Sequence, residues 1–106
     1  MTTDPHPSQE LDDVVHQRVR LGILAVLEEA RRADFNYLAD TLDLTHGNLS
    51  RHLRVLADAG LVALDRRIEH RRTRTWLSLT KAGRAALHAE VRLLRALVNR
   101  IGLPPS

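Results

Sequence analysis

The chain has 106 residues, with 16 Lys and Arg against 13 Asp and Glu, six His and no Cys. That length carries one domain with one modest core, and the lack of cysteine excludes disulfides and thiolate zinc sites and gives no argument for an oxidising compartment. The opening "MTTDPHPSQELDD" has acids and prolines where a signal peptide needs a basic start and an apolar run, and no apolar stretch reaches membrane-spanning length; the expectation is a cytoplasmic protein with no membrane partner.

Charge is unevenly distributed. Every basic residue lies at or beyond Arg18, while the first 16 residues hold Asp4, Glu10, Asp12 and Asp13, leaving a body of 16 basic against nine acidic residues. Fifteen of the sixteen are Arg, which suits planar, two-pronged contact with phosphates and base edges. A GC-rich genome would also favour Arg codons, so the excess alone decides little.

Residues 1–10, with two prolines and no periodicity, are expected to form a flexible acidic arm. From Leu11 the pattern turns helical, and the block Leu21 to Leu27 is so continuously apolar that its helix should be buried on two sides. Asp34 stands where a helix N-cap belongs, ahead of a stripe of Phe35, Leu38, Ala39 and Leu42. Asp43-Leu44 breaks the pattern, Asp43 in a place that suits a left-handed backbone. Thr45 then caps a helix whose Leu49, Leu53 and Leu56 form a buried face, closed by Gly60. Beyond Gly60 the period becomes alternating: "LVALDRRI" and "TRTWLSL" are expected to form a hairpin with an Arg-rich tip. Thr80 caps a last helix that ends near Gly102, leaving 103–106 as a tail. Residues 11–102 are thus expected to be one domain.

This order is that of a winged helix-turn-helix: mainly α, with a small β-hairpin wing. The helix from Thr45 to Ala59 is the candidate recognition helix. Opposite its leucines it collects Gly47, Asn48, Ser50, Arg51 and Arg54, side chains that can meet base edges in a major groove, Arg at guanine, Asn at adenine and Ser at either. Thr45 lies near the free N–H groups of the helix start and suits a phosphate; Gly47 permits close backbone approach. In the wing, Arg66, Arg67, Arg71, Arg72 and Arg74 can follow the backbone or enter a minor groove. Read blandly, these are a solvated helix face and an edge hairpin protected by charge.

Five segments carry a resemblance: "RVRLGILAVLEE", "DFNYLADTLDLTHGNLSRHLRVLADAGLV", the Arg-rich wing, "TWLSLT" and "KAGRAAL". Together they resemble the small winged-helix transcriptional regulators of the MarR/ArsR type, over about residues 14–95. The resemblance implies a homodimeric bacterial regulator, usually a repressor, on an inverted-repeat operator in double-stranded DNA. It carries the recognition positions onto His46, Gly47, Asn48, Ser50, Arg51 and Arg54, and the wing contacts onto Arg66 to Arg74. Asp43 departs from it, where the family often has Gly, and the absence of Cys removes thiolate metal sensing and thiol redox sensing.

Other functions fare worse. His6, His16, His46, His52, His70 and His88 are dispersed, and no metal-binding HxxxH, phosphate loop or nucleophile elbow occurs, so neither catalysis, nor a cofactor, nor a metal site is expected. His88 and Glu90, two apart on a helix, point in different directions. His46 and His52 flank the recognition face, where protonation below neutral pH would modulate DNA binding. Trp76 and Tyr37 are expected to pack at the core edge rather than to cage a ligand, and no residue pattern identifies an effector. The alternative that stays open is a winged-helix adaptor that contacts protein instead of DNA; it would call for an apolar or mixed surface where this sequence places a polar, cationic one. Finally, Leu87, Val91, Leu94, Val98 and Ile101 recur as a heptad seam suited to a homodimer interface, beside a second stripe of Ala82, Ala86, Leu93 and Leu97.

Overall fold

The computed structural model describes residues 6–102; the outer part of the expected arm and the 103–106 tail lie outside them. A 3-10 turn, Pro7–Glu10, leads to α1 (Arg18–Ala30), β1 (Arg32–Asp34), α2 (Phe35–Thr41), α3 (His46–Asp58), β2 (Val62–Glu69), β3 (Arg72–Leu79) and α4 (Lys81–Ile101). The inner part of the expected loose arm is therefore a structured turn, and it lies along α4.

Helix α1 begins later than its apolar pattern suggests. The Asp12 carboxylate accepts the N–H groups of Val14 (2.8 Å) and Val15 (3.3 Å), a local bond that competes with helix formation. The chain from Asp12 to Gln17 is instead a strap that buries Val15 completely, and the Gln17 side chain caps α1 through the Arg20 N–H at 3.0 Å. Ile23, Leu24 and Leu27 of α1 are buried; Leu21 and Val26 pack against the core only in part.

The helix-turn-helix follows the sequence closely. Asp34 caps α2 through the Tyr37 N–H at 2.7 Å. Asp43 takes a φ of 54°, a conformation Asp tolerates better than most residues, and this lets the Leu44 N–H reach the Ala39 carbonyl at 2.9 Å. Thr45 caps α3 through the Asn48 N–H at 3.1 Å. At the far end Gly60, with φ 76°, donates to Ala57 while Leu61 donates to Leu56, both at 2.9 Å. That pair of bonds is the Schellman closure that satisfies the last carbonyls.

The sheet has three antiparallel strands in the order β1-β3-β2. β1, absent from the sequence reading, pairs Arg32 with Ser78 and Asp34 with Trp76; three residues are too few to show an alternation. The core gathers Ile23, Leu24 and Leu27 with Leu38 and Ala39, Leu49, Leu53 and Leu56, Leu77, and Leu87. Leu87 thus belongs to the domain's own core, 4 % exposed, which corrects its place in the expected dimer seam. The buried residues of α4, Gly83, Leu87 and Glu90, all lie in its first half. Gly83 sits so close to the strand start that a Cβ there would fall 1.9 Å from the Leu61 carbonyl oxygen.

Candidate nucleic-acid interface

Because α3 spends Leu49, Leu53 and Leu56 on the core, its helical period turns Gly47, Ser50, Arg51 and Arg54 to solvent. Asn48 is half-buried. Among the described residues neither Arg51 nor Arg54 has a carboxylate partner, so both remain free to bind an external anion. The Thr45 oxygen is engaged in capping, accepting the Asn48 N–H at 3.1 Å. His46 is exposed, but its ring meets the edge of Phe35 with centroids 5.1 Å apart, which ties the start of α3 to α2. A Cβ at Gly47 would meet nothing within 4 Å, so the space there is open to a ligand.

The wing sorts its arginines by strand parity. Val62, Leu64, Arg66 and Ile68 share one face of β2 with Leu79, Leu77, Thr75 and Thr73 as cross-strand partners. Leu64, Arg66 and Thr75 line a groove of about 480 Å³ with Ser50 and Arg54 of α3. The opposite face carries most of the charge and neutralises it internally. Arg67 pairs with Asp65 at 2.9 Å. Arg74 donates through Nη2 and Nε to one Asp34 oxygen, at 2.6 and 2.8 Å, and through Nη1 to Glu69 at 3.3 Å. Of the five wing arginines proposed from sequence, Arg66, Arg71 and Arg72 are therefore unpaired among the described residues, while Arg67 and Arg74 are engaged. The tip closes on His70 and Arg71, both left-handed with φ 51° and 65°, the geometry of a two-residue hairpin turn matched to strand twist.

Trp76 lies between these elements, with the Arg32 and Arg74 guanidinium carbons 4.3 and 4.5 Å from its ring, a cation–π arrangement at the base of the wing. Tyr37, expected to pack at the core edge, is 52 % exposed. Burial of Asp34 would raise its pKa, but the Tyr37 N–H and the Arg74 hydrogen bond and charge outweigh that and hold it below the ordinary carboxylate range.

Sequence reasoning missed a polar chain running behind α3. Glu90, 1 % exposed, accepts the Asp12 N–H at 3.2 Å and meets His16 Nδ1 at 2.9 Å. Arg20 donates to the Val14 carbonyl at 2.7 Å and reaches His52 Nδ1 at 3.5 Å. Apart from Arg20 and Val14, these partners are tens of residues apart, and no local pattern signals them. Burial, then the charges of Arg20 and Arg51, lower the His52 pKa, so protonation there is postponed to more acid conditions than an ordinary histidine needs. His88 does not join Glu90; it lies 3.4 Å from Glu28.

The sequence profile of the winged helix DNA-binding domain matches residues 19–98. The chain belongs to that family. A transcriptional regulator homologue from Pyrococcus horikoshii superposes with a TM-score of 0.87 at 33 % identity, covering 93 % of this chain and all of that one. A MarR-family regulator from Silicibacter pomeroyi gives 0.65 at 25 % identity over 94 % of this chain and 68 % of its own. The M. tuberculosis regulator MOSR, solved in complex with DNA, gives 0.69 at 25 % identity over 90 % and 68 %. An uncharacterized Methanocaldococcus jannaschii protein is 40 % identical over 68 residues, 64 % of this chain and 74 % of that protein. The winged-helix protein described here is accordingly a small DNA-binding regulator and not an enzyme, similar in fold to a MarR-family regulator, with relatives in archaea as well as bacteria.

Proposed function

We propose that the protein is a cytoplasmic transcriptional repressor that binds an inverted-repeat operator as a homodimer. The observation that carries the DNA reading is the solvent face of α3, where Ser50, Arg51 and Arg54 stand exposed and the two arginines have no ion-pair partner among the described residues. An adaptor would call for an apolar or mixed recognition face, and the exposed face of α3 is polar and cationic. In this reading Thr45, His46, Gly47, Asn48, Ser50, Arg51 and Arg54 meet one major groove, and the free wing arginines lie on the flanking backbone.

The dimer reading rests on the second half of α4. Leu94 is half-buried, Val98 is 41 % and Ile101 64 % exposed, and Val91 borders the core. Leu93 and Leu97 add apolar surface alongside. A second copy packed there would cover this stripe, and a two-fold axis would set two recognition helices about 34 Å apart on successive major grooves.

The test is selection of duplexes from a random pool, followed by footprinting and sedimentation. The expected result is a palindromic site, an affinity falling linearly on a log–log plot against salt, and a dimer. Leu94→Glu with Val98→Glu should then give monomers that retain only weak, nonspecific binding. Salt-independent binding would contradict the DNA reading; a monomer that binds a palindrome tightly would contradict the dimer. Transcription from a promoter overlapping the selected site should fall when the protein is added, and activation would contradict the repressor assignment.

A further inference from the structure

The wing's face toward α3 is not the cationic one. Its outer part is Ile68, Thr73 and Thr75, with Arg66 as the single charged residue on either strand of that face. Ile68 is 83 % exposed, the most exposed of the large apolar side chains among the described residues. It stands two positions beyond Arg66, on the same face as the groove that Arg66 and Leu64 share with α3. It is followed, across Glu69 and His70, by Arg71 at the tip, whose charge is unpaired among the described residues.

We propose that Ile68 is a DNA-contacting residue, seated on the sugar edges and floor of the minor groove that flanks the site of α3, with Arg66 and Arg71 on the bordering phosphates. This rests on the DNA reading above. Arg66 lies about 7 Å from Ile68 along the strand, more than half the width of a minor groove about 6 Å wide, so with Ile68 at the groove Arg66 on one side and Arg71 beyond it in the chain fall at the bordering phosphates: charged walls and an apolar sugar lining. Charge complementarity selects DNA over a second copy of the wing, because two such tips would bring Arg66, Arg71 and Arg72 of both chains together. The apolar contact excludes water without releasing counterions, so its contribution to affinity is independent of salt, unlike that of the arginines.

The test compares the full chain with Ile68→Ala, Ile68→Thr and Arg66→Ala on the duplex selected by the unmodified protein. Thr keeps the branched β-carbon that strands favour, so it separates an apolar contact from a preference for strand geometry; exposure of the site leaves folding of both variants intact, checked by thermal melting. Both Ile68 variants should weaken binding, Ala by about tenfold, at an unchanged salt slope, whereas Arg66→Ala should reduce the slope by about 0.9. Replacing adenines at the wing position by 2,6-diaminopurine adds an amino group to the minor-groove floor and leaves the major-groove edge as it was. That should weaken the unmodified protein and have little effect on Ile68→Ala. Equal affinity of Ile68→Ala and the unmodified protein, retention of affinity by Ile68→Thr, indifference to diaminopurine, or loss of dimers in place of loss of DNA contact would each overturn the proposal. If the unmodified protein selects no duplex, the DNA reading falls and this inference with it.

Discussion

The wing carries five arginines to the two of helix α3, but the two regions handle them differently. Arg51 and Arg54 on α3 project from a face whose neighbours are Gly47 and Ser50, and among the described residues neither is ion-paired. In the wing, Asp65, Glu69 and Asp34 hold Arg67 and Arg74 on the side away from α3. Counting arginines therefore overstates the wing as an anion-binding surface. A side chain already fixed against a carboxylate must break that pair before it can meet a phosphate, and the carboxylate left behind repels the same phosphate.

The contrast is broken most severely by moving the wing itself. Gly83 holds α4 against Leu61 at the root of β2, and the Leu61 carbonyl also accepts the Thr80 N–H at 3.1 Å. Gly83→Ala should cost about 3 kcal/mol of stability, read from urea unfolding, because the obstacle is backbone and cannot rotate away. An unchanged midpoint would mean that the wing root is not clamped there.

Individual charges sharpen the contrast. Arg51→Ala should cost about 1 to 3 kcal/mol in DNA affinity and relax discrimination at one base pair. The double change Asp65→Ala with Arg67→Ala should shift affinity by less than about 0.5 kcal/mol, as for a surface change with no net charge. Asp65→Asn alone should strengthen binding and steepen the salt dependence by up to about 0.9, since it releases Arg67. Titrations at several salt concentrations distinguish the three, and a double variant as damaging as Arg51→Ala would end the distinction between the two regions.

A smaller effect concerns how Asp34 anchors Arg74. Its pKa in the folded protein lies below the ordinary 3.8, so its contribution is present above the unfolded value and is lost as pH falls through the folded one. Asp34→Ala should remove about 1 kcal/mol at neutral pH, as for other N-cap losses, and should flatten the acid end of the stability curve measured by denaturant unfolding. An equally steep acid end in the variant would assign that pH dependence to other carboxylates.

Much of this protein is determined locally and was legible from sequence. The caps at Asp34, Thr45 and Thr80, the left-handed Asp43 and the Gly60 closure each depend on a side chain and backbone groups within a few residues, so residue type at a given position suffices. The leucine spacing of α3 fixes which face is buried and hence which side chains reach solvent. Tertiary structure decided what depends on partners distant in the chain. The strap before α1 is held by Glu90, some 78 residues away; β1 exists because β3 offers it a register; Leu87 faces its own core although its heptad position suits a dimer equally well. Strand alternation puts Arg66 on the groove face and Arg67, Arg72 and Arg74 on the other, and only the pairing of β2, β3 and β1 brings Asp34 and Glu69 to Arg74 while leaving Arg72 free among the described residues. Composition supplies the arginines, whereas their freedom to bind depends on carboxylates that the fold brings near.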